Sequence, residues 1–184
     1  SNRQGGNRMT GYNWENNASH AGEDYLNSSD NYLPFLYGIP MQSEDKPGEV
    51  LSVFVDEANA RGQYALVTLP MAGYVSADKH CVVSHNETAP SDRWKEVVYD
   101  KGSSYTTTPD LNDGYIYVDE EINFLMQKYG NAQSPTGVKG YSLDNEPALW
   151  PHTHPRIHPV APTVNEFVDK SIALATTVKN MDPG

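Results

Sequence analysis

The chain has 184 residues, enough for one domain with a real core, and its 24 acidic against 13 basic side chains give a formal charge of −11. That charge repels a phosphate backbone over most of the surface, which argues against nucleic acid as a partner, and no apolar run approaches the length of a membrane span. A neutral or cationic ligand is expected, and 3 Trp, 12 Tyr and 4 Phe exceed the aromatic content of a disordered tail.

Ser1-Asn2-Arg3-Gln4-Gly5-Gly6-Asn7 has no initiator Met, signal peptide or helix cap and reads as the last part of a strand already running. Met181-Asp182-Pro183-Gly184 stops where a helix would give way to a strand, so the chain is expected to be a piece of a longer protein. Residues 13–32 hold too many Asn, Ser and Gly for a helix, and are expected to be a loop long enough to be functional.

Pro47-Gly48 precedes residues 49–61, where Val50, Leu51, Phe54, Val55 and Ala58 keep helical spacing and Gly62 is placed to end the helix. Residues 63–71 carry a nearly continuous apolar run, the pattern of a strand covered on both faces. Residues 72–112 read as a second long irregular stretch, and residues 115–129 as a helix with Val118, Ile122, Leu125, Met126 and Tyr129 inward and Gly130 at its end. Asp119-Glu120-Glu121 on that helix is expected to be a solvated face.

Residues 138–144 form the next predicted strand and residues 148–162 another loop. Thr163 then caps a helix whose apolar positions are Val164, Phe167, Val168, Ile172, Leu174, Ala175 and Val178. The order strand, helix, strand, helix, strand, helix argues for an α/β fold with a parallel sheet, each long loop following a strand. If the fold is a barrel of the (β/α)8 type, about half of it is present. The lone Cys81 excludes an internal disulfide framework.

The segment richest in chemistry is Gly140-Tyr141-Ser142-Leu143-Asp144-Asn145-Glu146-Pro147-Ala148-Leu149-Trp150. Its apolar pattern stops at Asn-Glu-Pro, and Pro147 biases Glu146 toward an extended conformation at a strand's carboxyl end. A glutamate beside an amide there fits a general acid or base, and the indole of Trp150 suits the apolar face of a sugar. The alternative is that Glu146 caps the next turn and Trp150 is core.

Arg3-Gln4-Gly5-Gly6-Asn7-Arg8 and Tyr12-Asn13-Trp14-Glu15-Asn16-Asn17 offer hydrogen bonds and a stacking surface for a polyhydroxylated substrate, or else form a turn and a solvated loop. His152, His154 and His158 fall within seven residues, so they either ligate zinc, with Glu146 as the base for a bound water, or are ordinary loop histidines.

Taken together, Gly5-Gly6-Asn7-Arg8 leading to Tyr12-Asn13-Trp14-Glu15-Asn16-Asn17-Ala18-Ser19, and the Asn-Glu-Pro segment continued through Thr153-His154-Pro155-Arg156-Ile157-His158-Pro159, closely resemble the catalytic domain of glycoside hydrolase family 44. Asp113-Gly114-Tyr115 and Asn123-Phe124-Leu125 are similar to that family too, so the resemblance spans essentially the whole chain.

The resemblance implies a secreted, usually bacterial, retaining endo-β-1,4-glucanase acting on cellulose derivatives and xyloglucan. It implies a partial TIM-type (β/α)8 barrel comprising about strands two to four, with the rest of the barrel and a β-sandwich domain supplied by the parent protein. By match to the motif, Glu146 is the acid/base and Asn145 faces the sugar at the cleavage point. Asn7, Arg8, Trp14, Trp150 and His158 are the expected substrate-binding residues. The nucleophile is expected beyond Gly184, no cofactor is expected for catalysis, and a structural metal ion stays open. The rival readings are a carbohydrate-binding protein stacking sugars on Trp14, Trp94 and Trp150, and a zinc hydrolase using the histidine cluster.

Overall fold

The computed structural model describes residues 1–102 and 104–184 as a mixed α/β chain. In chain order it forms β1 (Asn2–Arg3), α1 (Asn7–Thr10), β2 (Ser19–His20), β3 (Ser28–Asp30), α2 (Tyr32–Leu36), α3 (Glu49–Ala60), β4 (Ala65–Leu69) and β5 (Tyr74–Ser76). There follow β6 (Cys81–Val82), β7 (Trp94–Val98), β8 (Tyr115–Tyr117), α4 (Val118–Tyr129), β9 (Gly140–Leu143), α5 (Trp150–Thr153) and α6 (Val164–Met181).

The frame is the parallel sheet β1-β4-β9, with Asn2 opposite Ala65 and Val67 opposite Tyr141. Parallel neighbours need a crossover, and α3 and α4 lie in the two connections. All three strands therefore end at the same edge of the sheet, and the segments that leave them meet there.

α3 forms where helical spacing predicts it. Val50, Leu51, Phe54, Val55 and Ala58 are buried on one side. Its end is closed by Gly62 at φ 64°, with Gly62 N–H donating to Asn59 O at 3.0 Å and Gln63 N–H to Ala58 O at 2.8 Å, the paired hydrogen bonds of a Schellman motif. Its start requires Gly48, where a Cβ would lie 2.2 Å from the Phe124 ring at φ 64°.

Four expectations are corrected. The polar stretch from Asn13 is buried rather than a solvated loop, because its amides staple neighbouring segments. Asn13 donates to Ser76 O at 2.9 Å, Asn16 to Ala77 O at 2.9 Å, and Asn17 to Lys46 O at 2.6 Å while accepting from Tyr12 Oη at 2.8 Å. Buried backbone carbonyls need donors, and here side chains supply what a ladder would otherwise provide.

Residues 72–112, apart from Ser103, which lies outside the described residues, include β5, β6 and β7. The helix expected over 115–129 begins only at Val118, because Tyr115-Ile116-Tyr117 alternates and pairs in parallel with β7, burying Ile116 completely.

The acidic triplet Asp119-Glu120-Glu121 is buried, each residue 1% exposed. Asp119 accepts from the Lys101 and Gly102 amides, and Glu120 accepts from Lys101 Nζ at 2.8 Å and the Thr106 amide, so both hold the long connection over α4. Glu121 Oε1 has no partner among the described residues, and burial pushes its carboxyl up to about 8.

α6 is capped by Thr163, whose hydroxyl accepts from Glu166 N–H at 3.1 Å. Only Leu174 among its expected apolar positions is fully buried, while Val164, Phe167, Val168 and Ile172 are exposed. Its stripe is wider than the surface it meets in these residues.

Glu121 generates a pH test. An unfolded carboxyl ionises near the usual value, whereas the buried one stays protonated up to about 8, so stability falls as pH rises between those values and is level above the upper one. Denaturant unfolding of the intact protein and its Glu121→Gln variant from pH 5 to 9 should show the wild type losing up to ~1.4 kcal/mol per pH unit relative to the variant in that window. Parallel curves would contradict the assignment.

Candidate functional site

The parallel strand ends are joined by one carboxylate. Asp144, directly after β9 and 4% exposed, accepts four hydrogen bonds: Thr10 Oγ1 at 2.6 Å, Asn145 N–H at 2.6 Å, Met71 N–H at 2.5 Å and Ala72 N–H at 3.0 Å. Thr10 belongs to α1 after β1, and Met71 and Ala72 follow β4. Burial pushes the Asp144 carboxyl above its usual range and the four donors pull it back. The carbonyls of the same β4 exit are also engaged: Met71 O accepts from Tyr99 Oη at 3.2 Å, and Ala72 O from Lys170 Nζ at 3.3 Å.

On this knot sits Glu146. Asn145 Nδ2 donates to Glu146 Oε2 at 3.3 Å and to Asn7 Oδ1 at 3.0 Å, and Asn7 Nδ2 donates to Asp24 Oδ2 at 2.8 Å. Three of the sequence-predicted residues, Asn7, Asn145 and Glu146, thus converge from the exits of β1 and β9. Glu146 is exposed and Asn145 almost buried, so the amide is fixed and the carboxylate free to meet a ligand.

Glu146 is not extended as Pro147 suggested. It lies in the left-handed region at φ 46° and ψ 58°, and Asp144 is also there at φ 62°. The pinned Asp144 side chain and the bond from Leu149 N–H to Glu146 O at 2.8 Å impose the tight turn. Two non-glycine residues held there store of the order of 1–3 kcal/mol each, which places strain beside the exposed carboxylate.

The other expected binding residues are placed differently. Trp14 and Trp150 are both 0% exposed and Trp94 is 5%, so none offers a ring face to a sugar. Trp14 packs against Phe124 with ring centroids 5.7 Å apart, and Trp150 lies 5.2 Å from the His158 ring. Large aromatic faces remove more apolar surface from water than any other side chain, and here the core takes them. The reading of the chain as a three-tryptophan sugar-binding platform fails on this burial.

Arg8 lines an open cleft of about 660 Å3 with Gly5, Gly6 and Asn7, but its guanidinium is committed to Asp30 at 2.5 and 3.2 Å and to Ser19 Oγ at 3.1 Å. His158 has both ring nitrogens engaged, with Val160 O at 2.6 Å and Glu166 at 2.8 Å.

The histidine cluster does not converge. His152 is exposed, His158 is tied to Glu166, and His154 is buried 6.0 Å from the His20 ring, where desolvation lowers it to about 4 and His20 to about 3. Among the described residues no three His, Cys, Asp or Glu groups are placed to hold a metal ion. Glu15 is buried with Lys95 Nζ at 2.6 Å, so it is not offered to a ligand, and burial raises it to about 7.

Asp144 and Asp24 are the residues that sequence reasoning missed. Asp144 drew no role of its own from the sequence, although a carboxylate one step before the Asn-Glu pair was the available signal. For Asp24 the sequence carries no signal, since its partner Asn7 is 17 residues away.

Residues 9–184 match the model for "Glycoside hydrolase family 44". The chain is 56% identical over 183 residues to endoglucanase A of Paenibacillus lautus, covering 100% of this chain and 26% of that protein. It is 54% identical over 181 residues to a β-mannanase/endoglucanase A of Caldicellulosiruptor saccharolyticus, covering 98% of this chain and 14% of that protein. A Paenibacillus polymyxa xyloglucanase of family 44, solved with xyloglucan, superposes with TM-score 0.98 at 55% identity, over 99% of this chain and 36% of the solved one. The chain thus spans about a quarter of the first of these relatives and about a third of the solved chain.

Removing the knot should loosen all three strand ends. Asp144→Ala leaves the Met71 and Ala72 amides unpaired in a buried site, and is expected to destabilise the intact protein by roughly 2–4 kcal/mol. Urea unfolding of variant and wild type measures it, and a loss below about 1 kcal/mol would contradict a knot at Asp144.

Proposed function

The chain belongs to glycoside hydrolase family 44, and from that membership we propose that it carries the acid/base half of a retaining endo-β-1,4-glucanase acting on cellulose derivatives and xyloglucan. The observation that carries the proposal is the convergence of Asn7, Asn145 and Glu146 on the edge where β1, β4 and β9 end. Enzymes built on (β/α)8 barrels do their chemistry at the carboxyl ends of the strands. The three parallel strands are accordingly read as about strands two to four of such a barrel. The remaining strands and a β-sandwich domain are assigned to the parent protein, taken to be secreted and bacterial. The solved relative's xyloglucan complex and the relatives' endoglucanase names support the substrate class.

The chemistry follows from the placement of Glu146. Exposed and held by one donor at 3.3 Å, its carboxyl delivers a proton to the leaving glycosidic oxygen and, once ionised, takes a proton from the attacking water. Asn145 steadies the carboxylate through one N–H and Asn7 through the other, which leaves the Asn145 carbonyl oxygen to accept from a sugar hydroxyl. A retaining mechanism needs a second carboxylate roughly 5 Å away as nucleophile, which we assign to the parent protein outside these residues. No cofactor takes part in this scheme.

In the intact enzyme Glu146→Gln keeps the side-chain shape and removes the proton. Turnover on unactivated polysaccharide should fall by ~10²–10⁴-fold, while an aryl glycoside whose leaving group needs no protonation should lose much less in its first step. Reducing-end release from xyloglucan and burst kinetics on the aryl substrate measure the two, and unchanged polysaccharide turnover would remove Glu146 from the acid/base role.

A further inference from the structure

With both ring nitrogens engaged, His158 does not face a ligand. It holds the far end of the segment that carries Glu146. Its Nδ1 lies 2.6 Å from Val160 O and its Nε2 2.8 Å from Glu166 Oε1. A carbonyl and an ionised carboxylate only accept, so the two bonds are made together only by a ring with a proton on each nitrogen, the imidazolium. The hydrogen bond from His158, with Lys170 adding to it, holds the Glu166 carboxyl below its usual range, so Glu166 is the ionised partner. Lys170 Nζ lies 3.4 Å from the same Oε1, and one carboxylate thus serves two cations. The His158 and Glu166 side chains are 15% and 33% exposed, so their charge-assisted bond is partly shielded from water.

From this latch back to Glu146 the chain is bonded step by step. His158 N–H donates to His154 O at 2.9 Å, His154 N–H to Trp150 O at 2.7 Å, Thr153 Oγ1 to Leu149 O at 3.1 Å and Leu149 N–H to Glu146 O at 2.8 Å. Residues 146–158 are therefore one bonded piece. The buried Trp150 ring packs inside it, 5.2 Å from the His158 ring and 5.7 Å from Lys170 Nζ.

Two anchors bracket that piece. Asp144 fixes its start by accepting from the Met71 and Ala72 amides, and Lys170 donates to the carbonyls of the same two residues at 3.4 and 3.3 Å. A closed circuit of bonds thus runs from the β4 exit through Asp144, the Glu146 turn, His158, Glu166 and Lys170 back to the β4 exit. An open apolar cleft of about 510 Å3 is lined by Glu146, Pro147 and Leu149 of this piece and by Thr163, Val164 and Phe167 at the start of α6. The bond from His158 to Glu166 ties the piece to the helix and sets the separation of these two walls.

We propose that His158 is a positioning residue for Glu146: as an imidazolium latched to Glu166, it fixes the turn that aims the Glu146 carboxyl at the leaving oxygen. The proposal rests on the acid/base reading above. The turn holds Glu146 at φ 46°, a strained conformation that persists because the surroundings impose it at both ends. Releasing the His158 end lets the carboxyl leave the position from which its proton reaches the leaving group.

The test uses the intact enzyme and two substrates, unactivated xyloglucan and an aryl glycoside whose leaving group needs no proton. His158→Ala should lower kcat on xyloglucan by ~10–10²-fold with little change in KM, and should leave the first step on the aryl glycoside nearly unchanged. A residue that only supports the fold would lower both alike. Glu166→Gln weakens the same bond from a partly exposed position, so it carries the test should His158→Ala fail to fold, and the same selective loss at smaller size is expected. Equal loss on the two substrates, or no loss on xyloglucan, in a folded variant would overturn the positioning role. Glu146→Gln measured alongside keeps the readings apart. A non-selective effect there sinks the acid/base assignment and the latch with it, whereas selective loss in Glu146→Gln without selective loss in the His158 and Glu166 variants sinks the latch alone.

Discussion

One buried carboxylate holds the strand-end edge together. Asp144 accepts from the Thr10 hydroxyl and from the amides of Met71, Ala72 and Asn145, which brings the exits of β1, β4 and β9 to one point. A carboxylate is an acceptor only, and four donors nearly fill its lone-pair sites, so burial at 4% exposure is tolerated. Glu146, two residues on, takes its position from this anchor rather than from packing of its own side chain. The left-handed backbone at Asp144 and Glu146 follows from the same constraint, because the chain must turn sharply once the Asp144 side chain is fixed inward.

Asparagine extends this economy outward. Asn13, Asn16 and Asn17 bind carbonyls of distant segments, and Asn7 and Asn145 form a relay that reaches the exposed carboxylate. An amide carries donors and an acceptor on one short, uncharged group, so it joins irregular backbone without the desolvation cost of a charge. That is why a segment rich in Asn and poor in regular structure is nonetheless buried. The aromatic residues divide in the complementary sense, with indoles in the core and two tyrosines on the wall of the open cleft.

The acidic residues of α4 show the same logic. Asp119 and Glu120 sit under the connection from β7 to β8 and accept its amides and the Lys101 ammonium, whereas Glu121 is left without a partner on one oxygen and remains protonated up to about 8. Three consecutive carboxyls on one helix thus have two different fates, set by whether a loop donor reaches them. The open stripe of α6, with Val164, Phe167, Val168 and Ile172 exposed, is the other place where composition and surroundings diverge.

By itself the sequence determined the elements whose signals are local: the helix of residues 49–60 with its Gly62 stop, the Thr163 cap, the three parallel-sheet strands, and the Asn-Glu pair at a strand end. Each depends on spacing, propensity or a capping atom within a few residues. Only the tertiary structure decided that Trp14 and Trp150 are core, that Asp119, Glu120 and Glu121 are buried, that β8 precedes α4, and that Asp144 is the anchor. Those outcomes depend on partners far apart in the chain: Asp144 lies 134 residues from Thr10 and 73 from Met71. No local pattern encodes which distant donor a carboxylate will meet, or whether a ring will find a neighbour to cover it.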